Sequence, residues 1–173
     1  MEPNPKATPE ALFQRLEALG IETTTHAHPP LFTVEESKRL RGDLPGGHCK
    51  SLFLRDKKGR QWLVVALEDR AIDLKALRKT LGASGSLSFA SPDRLMETLG
   101  VTPGAVTPFG LINDADQSVA VVLDQAMLAI DPLNYHPLTN AATTAISAAG
   151  LVRFIEACGH SPQVLDLDAV APA

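Results

Sequence analysis

Three blocks follow one another in the first half of the chain: Ser51-Leu52-Phe53-Leu54-Arg55, then Asp56-Lys57-Lys58-Gly59, then Gln61-Trp62-Leu63-Val64-Val65-Ala66-Leu67. The middle block is a polar turn closed by glycine, and the flanking blocks have strand length and composition, so together they predict a β-hairpin. The third block is apolar on both faces. A strand of that kind must be covered on both sides, which makes it a central strand.

Toward the N-terminus, Thr8 as N-cap and Pro9 at the first helical position open a helix to Leu19. It puts Leu12, Phe13, Leu16 and Leu19 on one face, and Gly20 stops it. A short strand is expected around Glu22 to His26. Thr33 and Glu36 have capping-box spacing for a helix to about Leu40. The loop from Gly42 to Gly47 has glycines and a proline that stop a helix and permit close approach to a ligand, and it delivers the chain to Lys50.

Toward the C-terminus, Asp73 caps a helix to Leu81, Ser86 to Phe89 forms a brief strand, and Ser91-Pro92 opens a short helix ended by Gly100. A loop rich in Pro and Gly from Thr102 to Gly110 precedes expected strands at Leu111-Ile112 and Val119 to Leu123. The stretch Asn134 to Asn140 reads as a polar loop. Ser147 caps a last helix with Leu151, Phe154, Ile155 and Cys158 at positions i, i+3, i+4 and i+7. Gly159 closes it, and the last dozen residues are expected to fray. Strands and helices interleave irregularly, without a βαβ repeat. The reading is therefore an α+β protein with a curved, barrel-like mixed sheet surrounded by helices, one domain over residues 1–173 with its core at about 8–160.

The chain has 173 residues, 45% of them hydrophobic, which suits one compact core. A start lacking a signal-peptide pattern and the want of a long apolar run predict a cytoplasmic protein without a membrane association. Cys49 and Cys158 are too few for a disulfide scaffold or structural zinc and are read as reduced. The formal net charge of −4 excludes binding to nucleic acid through a broad positive field, so any RNA contact must be local. Three basic clusters offer themselves: Lys38, Arg39 and Arg41; Arg55, Lys57, Lys58 and Arg60; Lys75, Arg78 and Lys79. Each is equally compatible with plain solvated charge.

Familiar catalytic motifs are missing: no G-x-S-x-G, Walker A, G-x-G-x-x-G after a strand, or H-E-x-x-H. His26 and His28 would face one side of an extended segment, but no third ligand lies near in sequence, so no metal and no cofactor is expected. On a strand, Cys49 and Lys50 point to opposite faces, so a Lys50 in a pocket turns Cys49 toward the core. Polar or conformationally special residues that packing does not require then remain in three places: the approach to Lys50, the loop Gly104-Ala105-Val106-Thr107-Pro108, and His136 to Asn140.

Together with His28 to Glu36, Gly47 to Leu54, Trp62 to Leu67, Leu87 to Ser91 and Gly104 to Asp114, these segments resemble one family over roughly residues 10 to 160. It is that of the stand-alone aminoacyl-tRNA deacylases related to the editing domain inserted in bacterial prolyl-tRNA synthetase. The T-P-F-G-L-I-N-D and N-x-H-P-L-T-N stretches are similar to its alanyl-tRNA(Pro) branch rather than the cysteinyl one. The resemblance implies an editing-type fold and hydrolysis, in trans, of alanine from the acceptor end of tRNA(Pro), with prolyl-tRNA synthetase as a partner.

It also implies roles for residues. Lys50 matches the essential lysine and Gly104 with Pro108 the G-x-x-x-P loop, while His136, Thr139 and Asn140 fall on the substrate pocket. Phe109 or His136 would limit its size. A ribose hydroxyl of the terminal adenosine would help to activate water. Gly46-Gly47-His48-Cys49 departs from the pattern, in which fewer glycines and a residue like Thr at 49 are expected. Two other readings stay open: a deacylase of the same fold for serine or cysteine, and a non-catalytic tRNA- or synthetase-binding module.

Overall fold

The structure, a computed structural model, describes residues 6–30 and 45–168. The expected helix from Thr33, the first basic cluster and residues 42–44 of the glycine loop lie outside the described residues.

Among the described residues there are four α-helices: α1 (Pro9–Ala18), α2 (Leu74–Leu81), α3 (Pro92–Leu99) and α4 (Ala148–Ala157). All four begin at the cap the sequence indicates. Thr8 Oγ1 accepts from the Ala11 amide at 3.1 Å, Asp73 from Lys75 at 2.8 Å, Ser91 from Arg94 at 3.1 Å and Ser147 from Gly150 at 2.9 Å.

Eight strands form one open sheet: β1 (Thr23–Ala27), β2 (Gly47–Arg55), β3 (Gln61–Leu67), β4 (Ser88–Phe89), β5 (Val119–Asp124), β6 (Leu133–Tyr135), β7 (Ala142–Ile146) and β8 (Gln163–Leu165). Their order is β1-β7-β6-β2-β3-β5-β8, with β4 on β2. β2 pairs antiparallel with β3 and β4 but parallel with β6, and β3, β5 and β8 run parallel to one another.

The hairpin occurs as predicted. Its turn is held by the Asp56 carboxylate, which accepts from the amides of Ser84 (3.0 Å), Arg60 (2.9 Å) and Lys58 (3.0 Å). These bonds, that from Ser84 foremost, hold the carboxyl below its ordinary range against the opposing effect of burial. β3 is central, with Trp62 to Ala66 no more than 2% exposed. Its alternation divides the core. Phe53, Leu63 and Val65 face a cluster built by α1, α3 and α4 with Phe109, Leu133, Tyr135 and Phe154, while Leu54, Trp62, Val64 and Ala66 face α2 through Leu77. Each fully buried Leu or Val contributes about 1.5–3 kcal/mol, so both layers matter to stability.

Gly46 and Gly47 serve the chain itself. Gly46 has φ +99°, and a Cβ there would sit 2.2 Å from the Pro132 carbonyl oxygen; one on Gly47 would crowd the Leu133 side chain at 3.1 Å. This close crossing lets β2 start at Gly47 and pair with β6 over Gly47↔Leu133 and His48↔Asn134.

Three expectations are corrected. Leu111-Ile112 is not a strand but part of a 3-10 helix, Pro108–Asn113, opened by Pro108 and by the Phe109 amide donating to Thr107 Oγ1 at 3.3 Å. Asn134 and Tyr135 belong to β6, because Tyr135 buries its ring against Phe109. Gln163–Leu165, in the stretch expected to fray, is paired with β5 as β8. No helix among the described residues is long and apolar enough to cross a membrane.

Candidate active site

Gly104 lies exposed in a 3-10 turn, Pro103–Ala105, that the buried Ala105 anchors to the core. A Cβ placed on Gly104 would stand 3.6 Å from Asn140 Nδ2, so the two predicted loops meet here. Thr139 shapes the second loop by accepting from the Ala141 amide at 3.2 Å. Leu138 takes φ +67°, a strained value for a branched residue, while its side chain packs against the core.

His136 is half-buried, and its Nδ1 lies 3.2 Å from the Ala142 carbonyl oxygen. A carbonyl only accepts, so Nδ1 carries the proton and Nε2 is left as an acceptor. Burial lowers the pKa of His136 below 6.5, more than the bond to Ala142 raises it, and nearby His28 lowers it further. The ring is therefore neutral at pH 7. His28 is the residue sequence reasoning passed over for this site. Its Nδ1 donates to the Pro29 carbonyl and its Nε2 accepts from Thr143, both at 2.8 Å. Its signal was the His28 to Glu36 stretch, which carries part of the family resemblance; among the described residues no three His, Cys, Asp or Glu are grouped to hold a metal.

Lys50 stands apart from this group. It pairs with Ala66 in β2–β3 and so shares the α2 face, and its ammonium donates to the Arg70 carbonyl. Arg70 is fixed in turn by Asp124 at 2.9 Å and by Asp168 at 2.5 Å. Asp124 has no exposed side-chain surface and also accepts from the Leu67 amide at 3.3 Å. No motif pointed to Arg70 or Asp124. A cavity of ≈510 Å³ lined by Gly46, Gly47, His48, Glu68, Arg70 and Ile130 opens beside this anchor.

Lys50 and the Gly104–Asn140 contact thus lie on opposite faces of β2. Between them runs an edge. Residues 49–53 pair with β3 on one side; on the other, among the described residues, β6 reaches only residue 48 and the β4 segment is first met at Phe53, whose carbonyl accepts from the Ala90 amide at 2.9 Å. The remaining predicted residues are structural. Cys49 packs against the core, where burial pushes its thiol up to about 11 despite hydrogen bonds from Tyr135 and Asn134. Pro108 is buried. Phe109 is 0% exposed and packs edge-on against Tyr135 and Phe154, so it is a core residue and not a wall of the pocket.

The described residues thus place the exposed Gly104 main chain with His136 and Asn140 on one side of β2 and Lys50 on the other. The chain belongs to the aminoacyl-tRNA editing domain family, whose model matches residues 28–154. It is 44% identical over 162 residues to the prolyl-tRNA synthetase associated domain-containing protein 1 of Bos taurus, covering 91% of this chain and 94% of that one. It is 40% identical over 159 residues to the prolyl-tRNA editing protein ProX of Acetoanaerobium sticklandii, covering 91% and 96%. A crystal structure described as a "putative trans-editing enzyme for prolyl tRNA synthetase" shares the fold at TM-score 0.70 and 21% identity over 94% of this chain and 98% of that one.

Proposed function

We propose that the protein is a trans-editing hydrolase that deacylates mischarged Ala-tRNA(Pro), releasing alanine and free tRNA. The observation that carries this reading is the meeting of Gly104 with Asn140 beside neutral His136, across the broken edge of β2 from Lys50. The names of the ProX and synthetase-associated relatives support the proline system and prolyl-tRNA synthetase as partner.

A synthetase site built for proline loses only modest binding energy with the smaller alanine, so a second site must reject by size. Asn140, standing close to Gly104, suits the part of a residue that limits the side chain admitted. Water adds to the ester carbonyl, the bond from carbonyl carbon to ribose oxygen breaks, and the proton ends on the ribose oxygen. That step needs a positioned water and donors for the developing oxyanion more than a protein nucleophile. Exposed main chain at Gly104 suits the donor part. The Nε2 lone pair of His136 suits orientation of a ribose hydroxyl or water, and Lys50 anchors a terminal phosphate as a point charge.

Hydrolysis assays on Ala-, Pro-, Ser- and Cys-charged tRNAs test this. Release of alanine with proline spared is expected. Equal loss of proline would sink the size sieve, faster release of serine or cysteine would reassign the substrate, and no release from any would leave the non-catalytic module.

A further inference from the structure

The hairpin tip and the end of α2, separate in sequence, are latched together. The Lys57 amide donates to the Ser84 carbonyl at 3.0 Å, the Ser84 amide to Asp56 at 3.0 Å, and Arg60 reaches the Gly82 carbonyl at 3.4 Å. A Cβ on Gly85 would lie 2.5 Å from Lys57 Cδ, so the lysine stem runs directly over this turn. The latch merges two basic clusters. Arg55, Lys57, Lys58 and Arg60 come from the hairpin; Lys75, Arg78 and Lys79 from α2, with Lys75 and Lys79 one turn apart on the same side. All but the half-buried Arg78 are exposed.

The charge here opposes that of the whole molecule. Residues 55–60 and 74–85 hold seven of the 16 Lys and Arg and one of the 20 Asp and Glu, a local +6; nine basic against nineteen acidic residues elsewhere leave −10. Among the described residues none of Arg55, Lys57, Lys58, Lys75 and Lys79 is within ion-pair distance of a carboxylate, and the one acid in the patch, Asp56, is spent on backbone amides. Phe89 borders the patch, opposite Leu54 and 63% exposed. Unpaired cations beside an exposed aromatic suit a nucleic-acid backbone better than a protein surface.

We infer that this composite surface, the β2–β3 tip with the C-terminal half of α2, binds the phosphate backbone of the tRNA acceptor stem. The inference rests on the function proposed above, because position links the two. Arg55 is five residues along β2 from Lys50, roughly 17 Å at strand rise. A terminal nucleotide held near Lys50 therefore brings the tip to phosphates beyond the single-stranded 3′ end, inside the stem.

The test compares wild type with K57A/K58A/K79A, three exposed side chains outside the cleft. Alanine is esterified to full-length tRNA(Pro) and to the trinucleotide CCA. KM for the full-length ester should rise about tenfold, and the slope of log affinity against log salt should fall by about two to three. Hydrolysis of the CCA ester should be unchanged. Binding of uncharged tRNA, followed by filter retention, should weaken in parallel, and it reads the surface even if neither ester is hydrolysed. Equal retention by both proteins overturns the inference. So does an equal loss on both esters, and so does unchanged tRNA binding with lost co-elution of prolyl-tRNA synthetase, which would assign the patch to a protein partner.

Discussion

The two faces of β2 solve opposite problems with one strand. On one, Cys49 and Phe53 are locked into a core of α-helices and aromatic rings, and the polar groups above it, at Gly104, His136 and Asn140, are placed by loops that this core supports. On the other, Lys50 extends toward a turn positioned by the Arg70–Asp124 ion pair, under a single amphipathic helix. Shape is set on the first face and charge on the second. On the function proposed above, the substrate must meet both, across β2.

Four substitutions test that contrast. Phe109→Ala removes the ring at the centre of the packed face and should cost about 3–5 kcal/mol, read as a lower denaturant midpoint, with amino-acid preference intact in the folded fraction. Altered preference with little loss of stability would return Phe109 to the pocket. Lys50→Ala should lower deacylation ~100-fold while thermal unfolding stays close to wild type, since only one part-buried hydrogen bond is lost. Wild-type turnover would remove Lys50 from the site.

Gly104→Ala meets only ordinary van der Waals contact at Asn140, so the fold should be unchanged; the methyl should obstruct approach of the ester to the Gly104 main chain and lower kcat/KM ~30-fold. His136→Ala should admit a larger aminoacyl group, raising its hydrolysis ~10-fold relative to alanine. In the wild type, activity should hold down to pH 6.5 and fall only at more acid pH, because burial places the folded pKa of His136 below that value. The sign is the same for stability. The contribution of the neutral ring is complete above 6.5 and is lost as pH falls through the folded pKa. An acid limb above pH 6.5 would exclude His136 as the group responsible.

How much of this was legible in the sequence follows from the kind of signal each feature leaves. The four N-caps, the hairpin and the buried β3 were read correctly because hydroxyl or carboxylate caps, turn residues and unbroken apolar runs act locally. Alternation also sent Cys49 inward. The 3-10 helix through Phe109 was missed because three residues per turn over so short a span leaves no period, and Pro108 with Gly110 looks the same in a loop. β6 was missed because three residues are too few to show alternation and one of its two partners, β2, lies far earlier in the chain. Glycines 46 and 47 were read as room for a ligand, whereas the neighbours they accommodate are Pro132 for Gly46 and Leu133 with Ile130 for Gly47, far along the chain. Arg70 and Asp124 form a pair only across the sheet, so no spacing announced them.

That joining of β2 to β6 sets an order of assembly during synthesis. A nascent chain ending near residue 130 already holds β2, β3, β5, Lys50 and Gly104, but neither His136 nor Asn140, nor the strands β6 and β7 that carry their loop. All the residues of the hairpin and of the basic surface have then been made, while those of the His136 to Asn140 loop have not. The surface proposed to bind RNA therefore leaves the ribosome before the residues proposed to recognise what the RNA carries, which only the last quarter of the chain supplies.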